Sequence, residues 1–206
     1  MTTQKTRSAI LRLSAAASAL LLSSIALTGC TVNLGTEGSD QDSEMMSHDG
    51  MMGHETSNSD FSGADIMFAQ MMIPHHQQAV DMGTLAATRA QSPEVKALAA
   101  KIKSEQAPEI RQMKSWLKAA NASLDMGHSM GMGGMLSDAE MKELENATGA
   151  KFDQLYLVGM IAHHKGAIHM AQMVTDSANP SAKALGNAIV ESQTKQIKYM
   201  ESLLGK

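Results

Sequence analysis

The sequence predicts an all-α protein, a four-helix bundle made of two duplicated antiparallel helical hairpins with a short extra helix in the central linker. The segment MIPHH at residues 72–76 returns as MIAHH at residues 160–164. Around both segments, apolar residues recur with the spacing of one helix face. No stretch shows the period-two alternation that is typical of a strand.

The first helix is predicted around the first of these motifs. At 100° per residue, Met72, His75, Ala79 and Met82 form one seam on one face of the helix. Pro74 lies inside the segment, where a proline removes one hydrogen bond and crowds the carbonyl four residues back. We therefore expect a kink directly before His75.

Each hairpin is predicted to turn at a capping residue followed by proline, Ser-Pro at residues 92–93 and Asn-Pro at residues 179–180. The helices that follow carry matching apolar stripes, with Gln106 in the middle of one and Gln193 in the middle of the other. Short turns make the joined helices antiparallel neighbours, so the two hairpins bury their stripes best against each other.

The linker between the hairpins is too rich in glycine to be helical in its first part. Ser137 and Glu140 then form a capping box that opens the short helix. The last helix is expected to stop near Leu204, with Gly205 at its end. The predicted helices span about residues 62–90, 92–120, 137–148, 150–177 and 179–204. The predicted bundle is 61–206, with repeat 1 at 61–120, the linker and short helix at 121–149, and repeat 2 at 150–206.

Residues 1–29 are predicted to be a lipoprotein signal peptide. Three basic residues and no acidic one accompany an apolar run that is too short to span a bilayer comfortably. The Leu-Thr-Gly-Cys that follows looks like a lipobox, which makes Cys30 the acylated N-terminus of the mature chain. An ordinary signal peptide with a chance cysteine is the alternative. Both predict export, and the lipobox also predicts an extracytoplasmic protein attached to a membrane by a lipid anchor.

The charge of the mature chain argues against nucleic acid as a partner. Loss of residues 1–29 reduces Lys and Arg from 17 to 14 against 21 Asp and Glu, so the net charge changes from −4 to −7. Such a surface repels phosphate backbones, and the sequence has no basic patch. Cys30 is the only cysteine, so no disulfide frames the mature chain.

Methionine is unusually frequent, with 18 of 19 residues in the mature chain against six aromatic residues. Residues 30–60 are predicted to be a disordered tether, and both the tether and the linker hold a tract dense in Met and His. Each tract is either a biased linker or a flexible arm that collects metal, since thioethers bind Cu(I) without forming disulfides. The candidate tract residues are Met45, Met46, His48, Met51, Met52, His54, Met126, His128, Met130, Met132 and Met135.

Within the bundle, the duplicated motifs offer imidazole and thioether groups. A lone histidine on an apolar face is usually a packed core residue, but here it recurs with a methionine one turn before it and another two turns after it. We expect Gln106 and Gln193 to hold an imidazole N–H and leave the other ring nitrogen free for a metal. His76 and His164 lie about 100° from the seam, and either complete a site at its edge or face solvent. The candidate ligands are Met72, His75, His76, Met82, Met160, His163, His164 and Met170.

This donor set favours Cu(I), or Ag(I) as its mimic, over Mg, Ca and Mn. Zinc would require cysteine, or more histidines and acids gathered at one point. A di-iron oxidase needs Glu-x-x-His on two helices, and the sequence contains no such motif. No organic cofactor is indicated.

The duplicated Met-Ile-x-His-His, followed by alanine and then methionine at intervals of three residues, resembles the bacterial family called domain of unknown function 305. The Gln-x-x-x-Ile-x-x-Met stripes and the Met/Gly/His linker fit the family as well. The resemblance covers about residues 61–204. It implies a ferritin-like four-helix bundle, usually exported, with copper binding and copper tolerance in some members. Carried over by position, it points to the eight candidate ligands.

These observations support three hypotheses about function. The first is a non-catalytic, extracytoplasmic protein that binds or sequesters Cu(I) in copper homeostasis or tolerance. The second is a copper-dependent oxidoreductase, against which we count the lack of multi-histidine sites of the kind that Cu(II) prefers. The third is a surface adaptor whose methionines only pack. A homo-oligomer or a partner for copper delivery is left open, as is whether the two seams form one site or two.

Overall fold

A computed structural model describes residues 60–126 and 133–205, which fold into five α-helices without a strand. None of these helices is apolar over enough of its length to cross a membrane. The predicted signal peptide, Cys30, the tether and its Met/His tract lie outside the described residues, as do His128, Met130 and Met132. The helices are α1 (Gly63–Arg89), α2 (Pro93–Ala119), α3 (Asp138–Asn146), α4 (Gly149–Ala171) and α5 (Pro180–Leu203).

The two hairpins pair as predicted. Helix α1 packs against α2 in the first hairpin, α4 packs against α5 in the second, and α1 joins the hairpins by packing against α4. The short helix α3 contacts α1 and α4. The prediction of an all-α four-helix bundle with one extra helix is therefore confirmed.

Local signals begin these helices at the expected places. The Ser92 hydroxyl accepts hydrogen bonds from two backbone N–H groups of the first turn of α2, with Pro93 as the first helical residue. The Asn179 side chain caps α5 in the same way. Ser137 and Glu140 form the predicted capping box of α3. Each cap satisfies backbone donors that have no partner within the helix.

Helix α4 ends at Ala171, earlier than the predicted end near Ser177. The Val174 N–H bonds to the Ala171 carbonyl three residues back, at 3.1 Å, so the backbone tightens there into 3₁₀-type geometry. Val174 is fully buried, and a Cβ added to Gly186 of α5 would lie only 2.8 Å from a Val174 methyl carbon. The close packing of this turn on α5 accounts for the early end of α4.

Helix α1 continues through Pro74, whose side chain is exposed. The ring therefore faces away from the core, and the helix on both sides of it is fixed by burial of its inner face. The kink before His75 stays a prediction.

The core consists of two hydrophobic clusters that are separated along the bundle by buried polar side chains. One cluster contains Phe68, Met72 and Met170, and the other contains Met82 and Met160. In α1 and in α4 the histidine pair lies between residues of the first cluster and residues of the second. We call these polar side chains the polar layer: His75, His76, Gln106, His163, His164, Gln193 and Gln196.

Candidate metal centre

The two histidine-bearing turns meet in the middle of the bundle. The ring centroids of His75 on α1 and His163 on α4 lie 3.7 Å apart, with 38° between the ring planes. Both side chains are fully buried. Because the first half of α1 shares a cluster with the second half of α4, the two helices are antiparallel, and equivalent turns of the two repeats face each other.

The second histidine of each motif is buried as well. The His76 ring lies 6.5 Å from that of His75, and the His164 ring lies 6.3 Å from that of His163, between centroids. Neither His76 nor His164 has any exposed surface. Of the two alternatives for these residues, exposure to solvent is therefore wrong, and both belong to the polar layer.

The inner histidines donate from Nε2 to backbone carbonyl groups. His163 Nε2 lies 2.9 Å from the carbonyl oxygen of His75, and His75 Nε2 lies 3.4 Å from that of Gly133. A carbonyl oxygen only accepts hydrogen bonds. Both rings therefore carry their proton on Nε2.

The outer histidines also donate from Nε2, but to side chains. His76 Nε2 lies 2.8 Å from a Glu109 carboxylate oxygen, and His164 Nε2 lies 2.6 Å from Gln196 Oε1. The Gln196 amide is oriented by Glu105, whose carboxylate accepts from Gln196 Nε2 at 2.6 Å. Since Oε1 of Gln196 is thereby left as an acceptor, His164 has the same tautomer as the other three histidines.

This arrangement leaves Nδ1 of all four histidines buried and, within the described part of the chain, without a hydrogen-bond partner. A neutral imidazole that is protonated on Nε2 has a lone pair on Nδ1, and a metal ion can bind to the ring only through that lone pair. Buried polar atoms without partners are uncommon in proteins and require an explanation. Four such atoms lie in the polar layer of this bundle.

Burial keeps the rings of His75, His163 and His164 neutral. Burial lowers the pKa of His75 from 6.5 to about 3, with a further contribution from His76. Burial likewise lowers the pKa of His164 from 6.5 to about 4 and that of His163 well below 6.5. The neutral form is the one that binds metal, so these rings need not release a proton near pH 7.

The predicted role of Gln106 and Gln193 is not what the structure shows. Both residues are buried, but the Gln106 amide has no partner among the described residues, and neither does Gln193 Oε1. The histidines are held instead by Glu109 and Gln196, each three residues after one of these glutamines. Glu109 and Gln196 lie beside the apolar stripe, so the helical pattern does not identify them as partners of the histidines. Their aligned positions in the two repeats were the available signal.

The four candidate methionines of the bundle fall into two pairs. Met72 and Met160 are fully buried three residues before His75 and His163, a rise of about 4.5 Å along the helix. Met82 and Met170 come seven residues after those histidines, a rise of about 10 Å, and all four methionines lie in the two hydrophobic clusters. In the linker, Met126 and Met135 are half-buried.

Among residues 60–126 and 133–205, no three His, Cys, Asp or Glu side chains are arranged as a ready metal cluster. The neighbouring rings within each motif are more than 6 Å apart between centroids, which separates their nitrogens. A metal ion in this layer therefore needs a thioether beside the imidazoles, or a rotation of the rings when it binds.

The end of the linker covers one side of the polar layer. We call residues 133–136 the strap. The Gln78 amide donates to the Leu136 carbonyl and accepts from the Leu136 N–H, both at 2.8 Å. On α4, a Cβ added to Gly166 would lie 1.8 Å from the Gly133 carbonyl oxygen. Only glycine at position 166 lets the strap approach closely enough for Gly133 to contact His75.

Known proteins are similar to this chain in sequence and in fold. The family model described as "Domain of unknown function (DUF305)" matches residues 65–204. A DUF305 protein from Streptomyces coelicolor is 36% identical, with a TM-score of 0.66 over 69% of this chain and 92% of that one. A DUF305 fragment from Deinococcus radiodurans is 32% identical, with a TM-score of 0.64 over 70% of this chain and 97% of that one.

A third similar protein, CopM, has been solved with metal. Its Cu(I)-bound form is 32% identical to this chain, with a TM-score of 0.58 over 68% of this chain and 94% of that one. CopM has also been solved in Cu(II)-bound and Ag-bound forms. Among curated proteins, none matches this chain. The family match covers more than half of the sequence and the solved structures share its fold, so the chain belongs to the DUF305 family.

Proposed function

We propose that this protein binds Cu(I) in the polar layer of its bundle, outside the cytoplasm, and thereby buffers or sequesters copper. The observation that carries the proposal is the set of four buried Nδ1 atoms without partners in the described residues. Met72 and Met160 lie one helical turn away on their own helices. Imidazole together with thioether is a ligand set suited to Cu(I) and to Ag(I).

The energetics of the metal-free layer support the same function. A buried acceptor without a partner costs about 1–3 kcal/mol, so four of them are a considerable burden on a small bundle. Binding of a metal ion to the folded state alone would remove part of this cost and stabilise the fold. We assign Met72 and Met160 as the sulfur ligands, because Met82 and Met170 are two turns from the histidines.

The relatives and the sequence support the wider proposal. CopM, which this chain resembles along most of its described length, takes Cu(I), Cu(II) and Ag. Residues 1–29 and Cys30 carry the expectation of export and a lipid anchor. In this proposal the Met/His tracts of the tether and linker collect Cu(I) and pass it to the bundle.

The first prediction concerns the inner histidines. In the chain from residue 31 to residue 206, His75→Ala with His163→Ala should abolish Cu(I) binding by the bundle, because both central donors are lost. Titration of Cu(I) against a chromophoric chelator measures stoichiometry and affinity. His169→Ala is the matched control, since His169 is exposed on α4 and outside the layer. Unchanged stoichiometry and affinity in the double variant would contradict the proposal and leave the tracts as the binder.

A copper-dependent oxidoreductase is the second candidate, and one observation favours it. No multi-histidine site of the kind that Cu(II) prefers is evident in the sequence, but four buried imidazoles lie in one layer of the structure. Imidazole ligands suit Cu(II) as well as Cu(I), so the layer provides donors for both oxidation states. Oxygen uptake on adding Cu(I), above a protein-free control, would support this function. Oxygen uptake equal to that of the control would contradict the oxidoreductase and leave copper binding without catalysis as the function.

A further inference from the structure

Two glutamates one turn apart on α2 are linked to the outer histidines of both repeats. Glu109 accepts directly from His76 at 2.8 Å. Glu105 accepts from the Gln196 amide at 2.6 Å, and Gln196 accepts from His164 at 2.6 Å. One helix of the first hairpin thus provides the carboxylate for both halves of the polar layer.

The duplication does not predict this arrangement. With the second helices of the repeats aligned, Glu105 and Glu109 correspond to Ser192 and Gln196 of α5. The second repeat therefore has no acid of its own at these positions. Gln196 connects the second repeat to an acid of the first. Its amide accepts a hydrogen bond from the His164 ring of its own hairpin and donates one to the Glu105 carboxylate on α2.

The two carboxylates also differ in their surroundings. The Glu109 side chain is 20% exposed and faces the fully buried His76. The Glu105 side chain is 35% exposed, forms an ion pair with Lys101, and lines an open cavity of about 680 Å³ between α2 and α5. Its negative charge is therefore partly neutralised by the lysine and screened by water. The neutral Gln196 amide also separates it from His164, so its electrostatic effect on that ring is weaker.

These contacts affect the atoms that would bind metal. A carboxylate that accepts from Nε2–H fixes the orientation of the ring and increases the electron density available at Nδ1. It also places a negative charge close to a bound cation in a buried site, where attraction is stronger than in water. An amide oxygen fixes the orientation but adds no net charge.

From this difference, and resting on the proposed function, we infer that Glu105 and Glu109 are positioning residues that make the two halves of the polar layer unequal ligands for copper. The half with His76 and Glu109 is the stronger and harder donor, so it binds Cu(II) better than the other half does. The half with His164 and Gln196 is the softer donor and holds Cu(I).

The test compares isosteric substitutions that remove one charge each. Glu109→Gln should lower Cu(II) affinity by about 10-fold or more, because loss of such a supporting partner typically costs 10–100-fold. The decrease in Cu(I) affinity should be smaller. Glu105→Gln should have the weaker effect on both ions. Glu145→Gln is the charge-matched control, because Glu145 lies on α3 outside the polar layer and its side chain is 45% exposed. Equal affinities for Glu109→Gln and this control would overturn the inference.

A second measurement needs no metal. In the metal-free protein, ¹⁵N NMR of the imidazole nitrogens should show Nε2–H tautomers for His76 and His164. Glu109→Gln should shift the His76 resonances alone, and Glu105→Gln those of His164 alone. Shifts in both rings for either variant, or in neither, would overturn the assignment. If Glu109→Gln does not fold, Glu109→Asp, which keeps the charge but withdraws the carboxylate from His76, tests the direct contact: it should also shift the His76 resonances alone.

The two proposals fail in different ways. If His75→Ala with His163→Ala leaves Cu(I) binding unchanged, the proposed function fails and so does this inference. If that double variant loses the metal while Glu109→Gln behaves as Glu145→Gln does, only this inference fails.

Discussion

Each histidine of the polar layer uses one ring nitrogen for an acceptor and leaves the other free. His163 donates to a carbonyl, His76 to a carboxylate and His164 to an amide, and all three do so from Nε2. The tautomer is set by the chemistry of these partners, because none of the contacted atoms has a proton to donate. The result is a set of rings whose Nδ1 atoms are buried and have no hydrogen-bond partner among the described residues.

Gln106 is a buried residue whose side-chain amide makes no hydrogen bond to the described residues. It is 3% exposed, and both polar atoms of its side chain have no partner among the described residues. We predict that Gln106→Met raises the free energy of unfolding of the metal-free protein by about 1 kcal/mol, because methionine has a similar shape and no polar atoms to desolvate. Urea denaturation at constant m-value measures the change.

Gln196→Met is the matched comparison for this substitution. It removes the acceptor for His164 and the donor for Glu105, so it should lower the free energy of unfolding by about 1–3 kcal/mol. A destabilised Gln106→Met variant would contradict the prediction and show that this amide has a partner in solution.

The helices follow from local sequence, and their exceptions come from contacts between elements. The caps at Ser92, Ser137 and Asn179 agree with their sequence signals. The early end of α4 does not, because packing of Val174 against α5 competes with the helical pattern. The strap is a second exception, since its position depends on a glycine in another element.

Substitution of Gly166 tests the strap. Gly166→Ala would place a carbon 1.8 Å from the Gly133 carbonyl oxygen, so the strap must move away from α4 and from His75. We predict a loss of about 1–3 kcal/mol in the free energy of unfolding, as for other overpacked sites, although alanine is the better helix former. Hydrogen exchange at the Leu136 amide, which bonds to Gln78, should become faster.

Gly63→Ala is the control for this variant. Gly63 also lies in a helix, but a Cβ there would meet nothing within 4 Å. Gly63→Ala should leave the free energy of unfolding unchanged or raise it slightly. The rate of hydrogen exchange at the Leu136 amide should not increase. Equal behaviour of the two alanine variants would show that the strap does not depend on contact with α4.

For the bundle as a whole, a buried polar layer between two hydrophobic clusters predicts sensitivity to acid. Histidines of the unfolded chain titrate near 6.5, while burial lowers the pKa of His75 to about 3 and that of His164 to about 4. Below pH 6.5 the unfolded state binds protons that the folded state does not. Stability is therefore complete above 6.5 and decreases as the pH falls, by about 1.4 kcal/mol per pH unit for each such histidine.

The melting temperature of the metal-free protein between about pH 7.5 and about pH 5 measures this dependence. Replacement of His75 by glutamine should reduce the slope, because one of the titrating groups is removed. The same replacement at the exposed His169 should leave it unchanged. A melting temperature that is constant over this range would contradict the burial of neutral histidines.

Much of this molecule could be predicted from periodicity and duplication. The helices, their caps and the pairing of hairpins follow from local signals, and the repeated motif placed His75 and His163 on inward faces. The supporting residues could not be predicted in the same way. Glu109 and Gln196 lie beside the apolar stripes, and nothing in the local pattern distinguishes them from solvated residues.

The sequence alone determined that two hairpins each bring one histidine, His75 or His163, and two methionines to the core, because helical period and apolar spacing fix which side of a helix is buried. Only the tertiary structure decided that the ring centroids of His75 and His163 lie 3.7 Å apart, that His76 and His164 are buried, and that α2 supplies carboxylates to both histidine pairs. The approach of the strap was decided there too. The reason is physical: contacts between residues far apart in the chain depend on the register and separation of whole helices, which no short segment encodes.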